Sequence, residues 1–245
     1  MCVGTYGWSL SGTSVDTRIT IPFITTWKTD NEGDSENNQI TIGTNSITHN
    51  RYGYVYDYQV NWGDGKTDSN VTGNITHTYS SAGTYTVSIT GIFPQFYNLD
   101  YHPDNYYDEG KILTIEQWGD NKWLSMRASF RNCENLTGNA IDAPDLSLVT
   151  RMGLMFTGAI AFNQDIGNWD VSNVTDMKSM FDNAKAFNQH IGNWDISSVT
   201  DMSIMFSDTD AFNQNIGGWD VSNVTDMAAM FADAKAFNQD ISKWD

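Results

Sequence analysis

The stretch AFNQDIGNWDVSNVTDMKSMFDNAK begins at Ala161, and close copies of it begin at Ala186 and Ala211. Trp169, Trp194, Trp219 and Trp244 stand 25 residues apart, as do Phe162, Phe187, Phe212 and Phe237. Met177, Met202 and Met227 keep the same interval, and so do Met155, Met180, Met205 and Met230. Several columns in one register restrict the fold more than any other feature of the chain. A unit this short cannot bury its own apolar side chains, so neighbouring units must stack and share a core.

A fixed period of this length is a mark of leucine-rich-type solenoids. Within one unit, Val174, Met177, Met180, Phe181 and Ala184 follow helical spacing and predict an apolar stripe on a short helical arc. Asn173 stands where an N-cap would, with Asp176 in the first turn. Phe187, Ile191 and Trp194 predict an extended segment. Stacked units of this kind give a parallel sheet on one side and helical arcs on the other. A degraded copy runs through SFRNCENLTGNAIDAPDLSLVTRM, with Ile141 in the column of Ile166, Val149 in that of Val174 and Pro144 in that of Trp169. The chain stops at ISKWD, where VSNVTDM would follow. The expectation is a fragment that lacks further repeats and a secretion signal.

Residues 1–110 have another pattern. Thr17 to Trp27, the stretch from Asn38, Tyr54 to Trp62, and Gly83 to Phe93 alternate with period two and are rich in β-branched and aromatic residues. Polar clusters such as TDNEGDSENN lie between them as loops. Short strands parted by turns predict an antiparallel β-sandwich over 1–110, ahead of the repeat region over 111–245. Asp64-Gly65 is a hairpin signal, because Gly readily takes positive φ. Trp62-Gly63-Asp64-Gly65, then His77-Thr78-Tyr79, then Gly83-Thr84-Tyr85-Thr86-Val87 resemble the PKD-like β-sandwich domain over roughly residues 15–95. That resemblance implies a spacer, adhesion or carbohydrate-associated module, with Trp62 in its core and Tyr79 packed before the last strand.

The repeat motif AFNQ-x-I-x-x-WD-V/I-S-x-VTDM-x-x-MF closely resembles the BspA-type leucine-rich-repeat surface proteins over about residues 112–245. It implies a bacterial cell-surface or secreted molecule associated with adhesion. The partner it implies is a host, matrix or cell-surface protein or glycan.

Charge excludes some partners. With 13 basic against 30 acidic side chains the net charge is −17, unsuited to nucleic acid phosphates or anionic lipid. No apolar run approaches the roughly 20 residues of a membrane-spanning helix. Cys2 and Cys133 make neither a disulfide framework nor a metal motif, and Cys2 is compatible with a bridge, a lipid attachment or neither. Two Asp columns recur, Asp170, Asp195, Asp220 and Asp245, then Asp176, Asp201 and Asp226. Carboxylates stacked ~4.8 Å apart repel by about 1 kcal/mol even at the dielectric of water. Turn amides are the expected compensation, and calcium is the one cofactor left open. The Asn163-Gln164, Asn188-Gln189, Asn213-Gln214 and Asn238-Gln239 columns are expected to hydrogen-bond along the stack.

Catalysis has little to stand on. His49, His77, His102 and His190 share no metal spacing, and no nucleophile motif appears. The expected function is therefore non-enzymatic binding at the cell surface or outside the cell. A structural spacer without its own ligand is the alternative, and a fragment of a carbohydrate-active enzyme is a third reading. The expected recognition strip is the column that varies among constant neighbours: Asp165, His190, Asn215 and Asp240. A second variable column holds Asn168, Asn193, Gly218 and Lys243. Alanine at Asp165, His190 and Asn215 is expected to leave the fold intact.

Overall fold

The computed structural model describes residues 20–44, 53–98 and 108–244. Cys2, His49, His102 and Asp245 lie outside the described residues.

Period-two burial builds the first half. Strand β1 (Phe23–Lys28) turns Phe23, Thr25 and Trp27 inward, and β3 (Asp57–Asn61) turns Tyr58 and Val60 inward. The other strands are β2 (Gln39–Ile42), β4 (Thr67–Val71), β5 (Ile75–Thr78), β6 (Thr84–Ile92), β7 (Ile112–Gln117) and β8 (Thr137–Gly138). One sheet has the order β4-β3-β6-β1-β7-β8, and β2 pairs with β5 in a separate two-stranded sheet. The antiparallel sandwich expected over 1–110 needs correction. The larger sheet is mixed, because β8 joins β7 in parallel, and β7 and β8 come from beyond residue 110. A single 3-10 turn, Glu109–Lys111, leads into β7.

The hairpin between β3 and β4 closes through Trp62 N–H to Lys66 O at 3.1 Å, with Gly63 and Gly65 at φ 77° and 88°. Trp62 is buried beneath it, and the Tyr79 hydroxyl donates to Trp62 O at 3.0 Å.

From Met126 onward the 25-residue units stack as coils joined by backbone hydrogen bonds. The expected helical arcs and parallel sheet do not form. Among the described residues the one helical element is the 3-10 turn at Glu109–Lys111, and the coils meet through single-residue parallel bridges at Arg151↔Asp176, Asp176↔Asp201 and Asp201↔Asp226. The stripe from Val174 to Ala184 is a chain of three-residue turns. Val174 N–H donates to Val171 O, Met180 N–H to Met177 O and Ala184 N–H to Phe181 O, at 2.8 to 3.1 Å. Ser179 and Asn183 take φ 53° and 57°, a left-handed region that a right-handed helix excludes. Stepping by three residues gives nearly the apolar spacing of a helix, which is why the sequence reads as one.

Backbone bonds between coils replace the sheet. Met177, Ser179, Phe181 and Asn183 donate their N–H groups to Asp201, Ser203, Met205 and Ser207 O, at 2.8 to 3.0 Å. The same fourfold set joins each coil to the next, from Met126–Asn132 to the coil that ends at Trp244. Inside, Phe181 stacks on Phe187 at 4.0 Å between ring centroids, and Phe156, Phe181, Phe206 and Phe231 repeat at 5.7 to 5.8 Å. Met177 and Met202 are buried, whereas Met227 in the last described coil is half-buried.

The sheet portion covers the start of the stack. Asn98 N–H donates to Ala128 O, its side-chain amide to Ser129 O, and the Gln95 amide to Arg127 O, at 2.8 to 3.1 Å. Phe96 stacks on Phe130 at 5.6 Å, and Trp118 meets Trp169 edge-on at 5.3 Å. One buried cluster therefore runs from the sheets into the repeats.

Close stacking depends on a glycine column. A Cβ on Gly192 would lie 2.3 Å from Asn215 O in the next coil, whereas one on Gly218 would meet nothing within 4 Å. Gly192→Ala is expected to cost about 1–3 kcal/mol through backbone overpacking. Gly218→Ala should be neutral or stabilising by up to about 1 kcal/mol. Urea denaturation of the two variants reads the difference, and equal midpoints would refute the close-approach argument.

Candidate functional site

Every residue of both variable columns is exposed: Asp165, His190, Asn215 and Asp240 in the first, Asn168, Asn193, Gly218 and Lys243 in the second. The two columns run side by side along the stack. The first does structural work that the sequence did not suggest. Asp165 Oδ1 accepts the Gly167 N–H, Asn215 Oδ1 the Gly217 N–H and Asp240 Oδ1 the Ser242 N–H, at 2.9 to 3.1 Å. Short side-chain acceptors close such turns on their own backbone. His190 instead pairs its Nδ1 with Gln214 Oε1 of the next coil at 2.9 Å. Triple alanine replacement would thus remove two turn contacts as well as the surface chemistry. The Asn168 and Asn193 side chains make no such bond and are free to face a partner.

The constant polar residues are spent inside the stack. Gln189 Nε2 donates to Asn163 O and Oδ1 at 2.8 and 3.0 Å, and Asn188 N–H donates to the same Oδ1. Gln214 and Gln239 repeat the pattern on Asn188 and Asn213. Trp194, Trp219 and Trp244 each donate the indole N–H to Ile166, Ile191 and Ile216 O of the preceding coil, at 3.1 to 3.3 Å. Asn173 is no N-cap; its amide donates to Ser147 O at 3.2 Å. Ile141 is 99 % exposed, unlike the buried Ile166 whose column it shares in sequence. The Trp169 indole N–H, in the coil that follows it, finds no partner.

The Asp columns are held by serines and turn amides. Asp170, Asp195 and Asp220 Oδ1 accept the N–H of Ser172, Ser197 and Ser222 at 3.0 to 3.2 Å, and the first two also accept the serine hydroxyl at 2.6 Å. Bonds from the serine hydroxyl and then its amide hold Asp170 and Asp195 below the ordinary Asp range, and Ser222 holds Asp220 below it too. Asp145 is brought down to about 2 by Lys122, then by the Ser147 hydroxyl. Asp182 goes the other way, raised by burial. Among the described residues, no three His, Cys, Asp or Glu side chains form a metal-holding group.

Acid should therefore loosen the stack. Carboxyls with lowered folded pKa contribute fully above the unfolded Asp value of about 3.9 and lose that contribution as pH falls through their lowered values. Protonating Asp182 acts in the opposite sense, because its raised value makes its charge a cost above that point. The melting temperature is expected to fall between about pH 4 and pH 2. Joint Ser172→Ala, Ser197→Ala and Ser222→Ala replacement should flatten that fall. An unaltered acid slope in the triple variant counts against the assignment.

His77 Nε2 meets Asp64 Oδ2 at 3.0 Å, with the imidazole stacked on Trp62 at 4.8 Å and set edge-on to Tyr79 at 4.6 Å. The pair fastens the β3–β4 hairpin to β5.

A second polar surface was missed in the sequence. A trough of about 320 Å³ on the larger sheet is lined by Thr20, Asp57, Gln59, Ser69, Asn70 and Thr90, over the backbone of Tyr58 and Gly91. The available signal was Gly91, an isolated glycine inside an alternating strand.

No helix among the described residues is long and apolar enough to cross a membrane. Residues 124–244 match a family model described as "Mycoplasma protein of unknown function, DUF285". No curated protein and no solved structure matches the chain.

Proposed function

We propose that the chain is a non-enzymatic binding protein of the cell surface or extracellular space, recognising a host, matrix or cell-surface protein or glycan along its stack. One observation carries this reading: the two columns that change from coil to coil are exposed along their whole length, side by side. Stacking turns a single variable position into a line of side chains, the means by which repeat proteins build extended binding surfaces. The resemblance of the repeat motif to BspA-type surface proteins supports the same class.

The spacer reading has its own support, since Asp165, Asn215 and Asp240 are occupied in closing turns. A variant that spares those turns separates the two. Asp165→Asn keeps the acceptor, Asn168→Ala and Asn193→Ala strip the free surface, and His190→Ala gives up one exposed bond to Gln214. On an array of glycans and matrix proteins, the parent should bind one or more members, and the fourfold variant should lose at least tenfold of that binding at unchanged melting temperature. Undiminished binding moves recognition off the stack, and an array without any bound member favours the spacer.

A further inference from the structure

We propose that the trough on the larger sheet is a binding site for a neutral saccharide, separate from the stack and independent of its role. Two backbone irregularities make the surface concave. The pairing of β3 with β4 shifts register between Tyr58 and Val60, and Asn70 on β4 takes φ 56°. On the neighbouring strand Gly91 takes φ 95°, and a Cβ there would lie 2.7 Å from Asp57 O. The floor is thus bare backbone, and the walls are the side chains that alternate outward on either side of it.

Those walls carry unused chemistry. Asp57, Gln59, Ser69, Asn70 and Thr90 make no side-chain hydrogen bond to a described residue, whereas the recurring Asp, Asn and Gln columns of the stack are largely committed to turns and ladders. A carboxylate accepts from two adjacent hydroxyls, an amide both donates and accepts, and a hydroxyl does either. Together they suit a dense array of hydroxyl groups. Val55 and Ile92, 69 % and 55 % exposed, alternate onto the same face beside Asp57 and give the C–H face of a sugar ring an apolar shoulder. The cavity volume is at the small end of ligand sites, about 300 Å³ and upward.

Charge selects the class. Asp57 is the one charged residue in the lining, and the chain carries −17 overall, so acidic sugars and phosphates are repelled. An added peptide strand is disfavoured, because the left-handed Asn70 breaks the regular edge of β4 that such a strand needs.

Amide NMR shifts of the whole chain provide the test. The probes are lactose, maltose, cellobiose and N-acetyllactosamine, with 3′-sialyllactose as acidic counterpart and an alternating Val-Thr peptide as strand mimic. One or more neutral disaccharides should move the Asp57, Gln59, Asn70 and Thr90 amides. Asp57→Ala and, separately, Gln59→Ala should weaken that binding at least tenfold while melting at the parent temperature. The proposal is overturned if no neutral disaccharide binds, if only the acidic sugar or the peptide does, if the shifts map elsewhere, or if Asp57→Ala binds within twofold of the parent. The stack's reading is untouched by any of these results, since its variants alter none of the trough residues.

Discussion

Replacing Lys111 by Met is expected to cost about 3–5 kcal/mol of folding stability, the usual penalty for breaking a buried ion pair from one side. The Lys111 and Asp108 side chains are fully buried, with Nζ 3.3 Å from Oδ1. Nζ also donates to Ser35 O, Ser35 Oγ, Glu36 O and Gln39 O at 2.7 to 3.2 Å. Asp108 in turn accepts the Ser35 N–H and hydroxyl and the Thr41 N–H, at 2.6 to 3.1 Å. One ammonium thus gathers the loop between β1 and β2 onto the turn before β7. Gly33 lets the loop come this close, since a Cβ there would lie 2.7 Å from Lys111 Cε. Methionine keeps much of the stem but strands a buried carboxylate and several carbonyls without their donor. Adding Asp108→Asn should recover part of the loss by removing the lone charge. Urea midpoints at a constant m-value measure both effects, and a cost below about 1 kcal/mol for the single variant would show that the pair is not what closes the loop.

Phe181→Ala should be as damaging, at about 3–5 kcal/mol, because a buried aromatic leaves both lost contacts and a cavity that its surroundings cannot fill. Phe181 stacks on Phe187 within its own coil and on Phe156 and Phe206 across two others. The matched control is Phe231→Ala, the same column in a coil where that ring is only half-buried. Its cost should be smaller, because part of its ring stays in solvent and hides less apolar area. If the two substitutions shift the urea midpoint equally, the stack does not share its core from coil to coil.

Periodicity made the columns legible, because identical residues at one interval must occupy equivalent places. It did not disclose what joins them. Apolar residues three and four apart suit both an α-helix and a run of three-residue turns, and the backbone sign at Ser179 and Asn183 decides between them. Ile204 takes φ 62°, and a β-branched residue carries no sequence signal for that conformation. In the first half, alternation marked the buried strands, while β4, with the sequence Thr-Asp-Ser-Asn-Val, has no apolar face to reveal it. β7 falls within the span expected for the repeats, 111–245, yet it pairs with β1. The exposed strip followed from variation among constant neighbours. Its bonds to Gly167, Gly217 and Ser242 did not, because Asp and Asn serve a turn or a partner equally well. The trough needed two strands brought side by side, and only folding does that.

The fourfold backbone bonds between coils all point one way. In each step the N–H comes from the earlier coil and the carbonyl from the later one, as in Ser179 to Ser203 and Ile204 to Ala228. Bonds of opposite sense, such as Thr200 N–H to Thr175 O, lie outside that strip. Peptide dipoles aligned head to tail add, as they do along a helix. The strip therefore has an electrical direction. Its negative pole, at the carbonyls of Arg127 and Ser129, is quenched by the side-chain amides of Gln95 and Asn98.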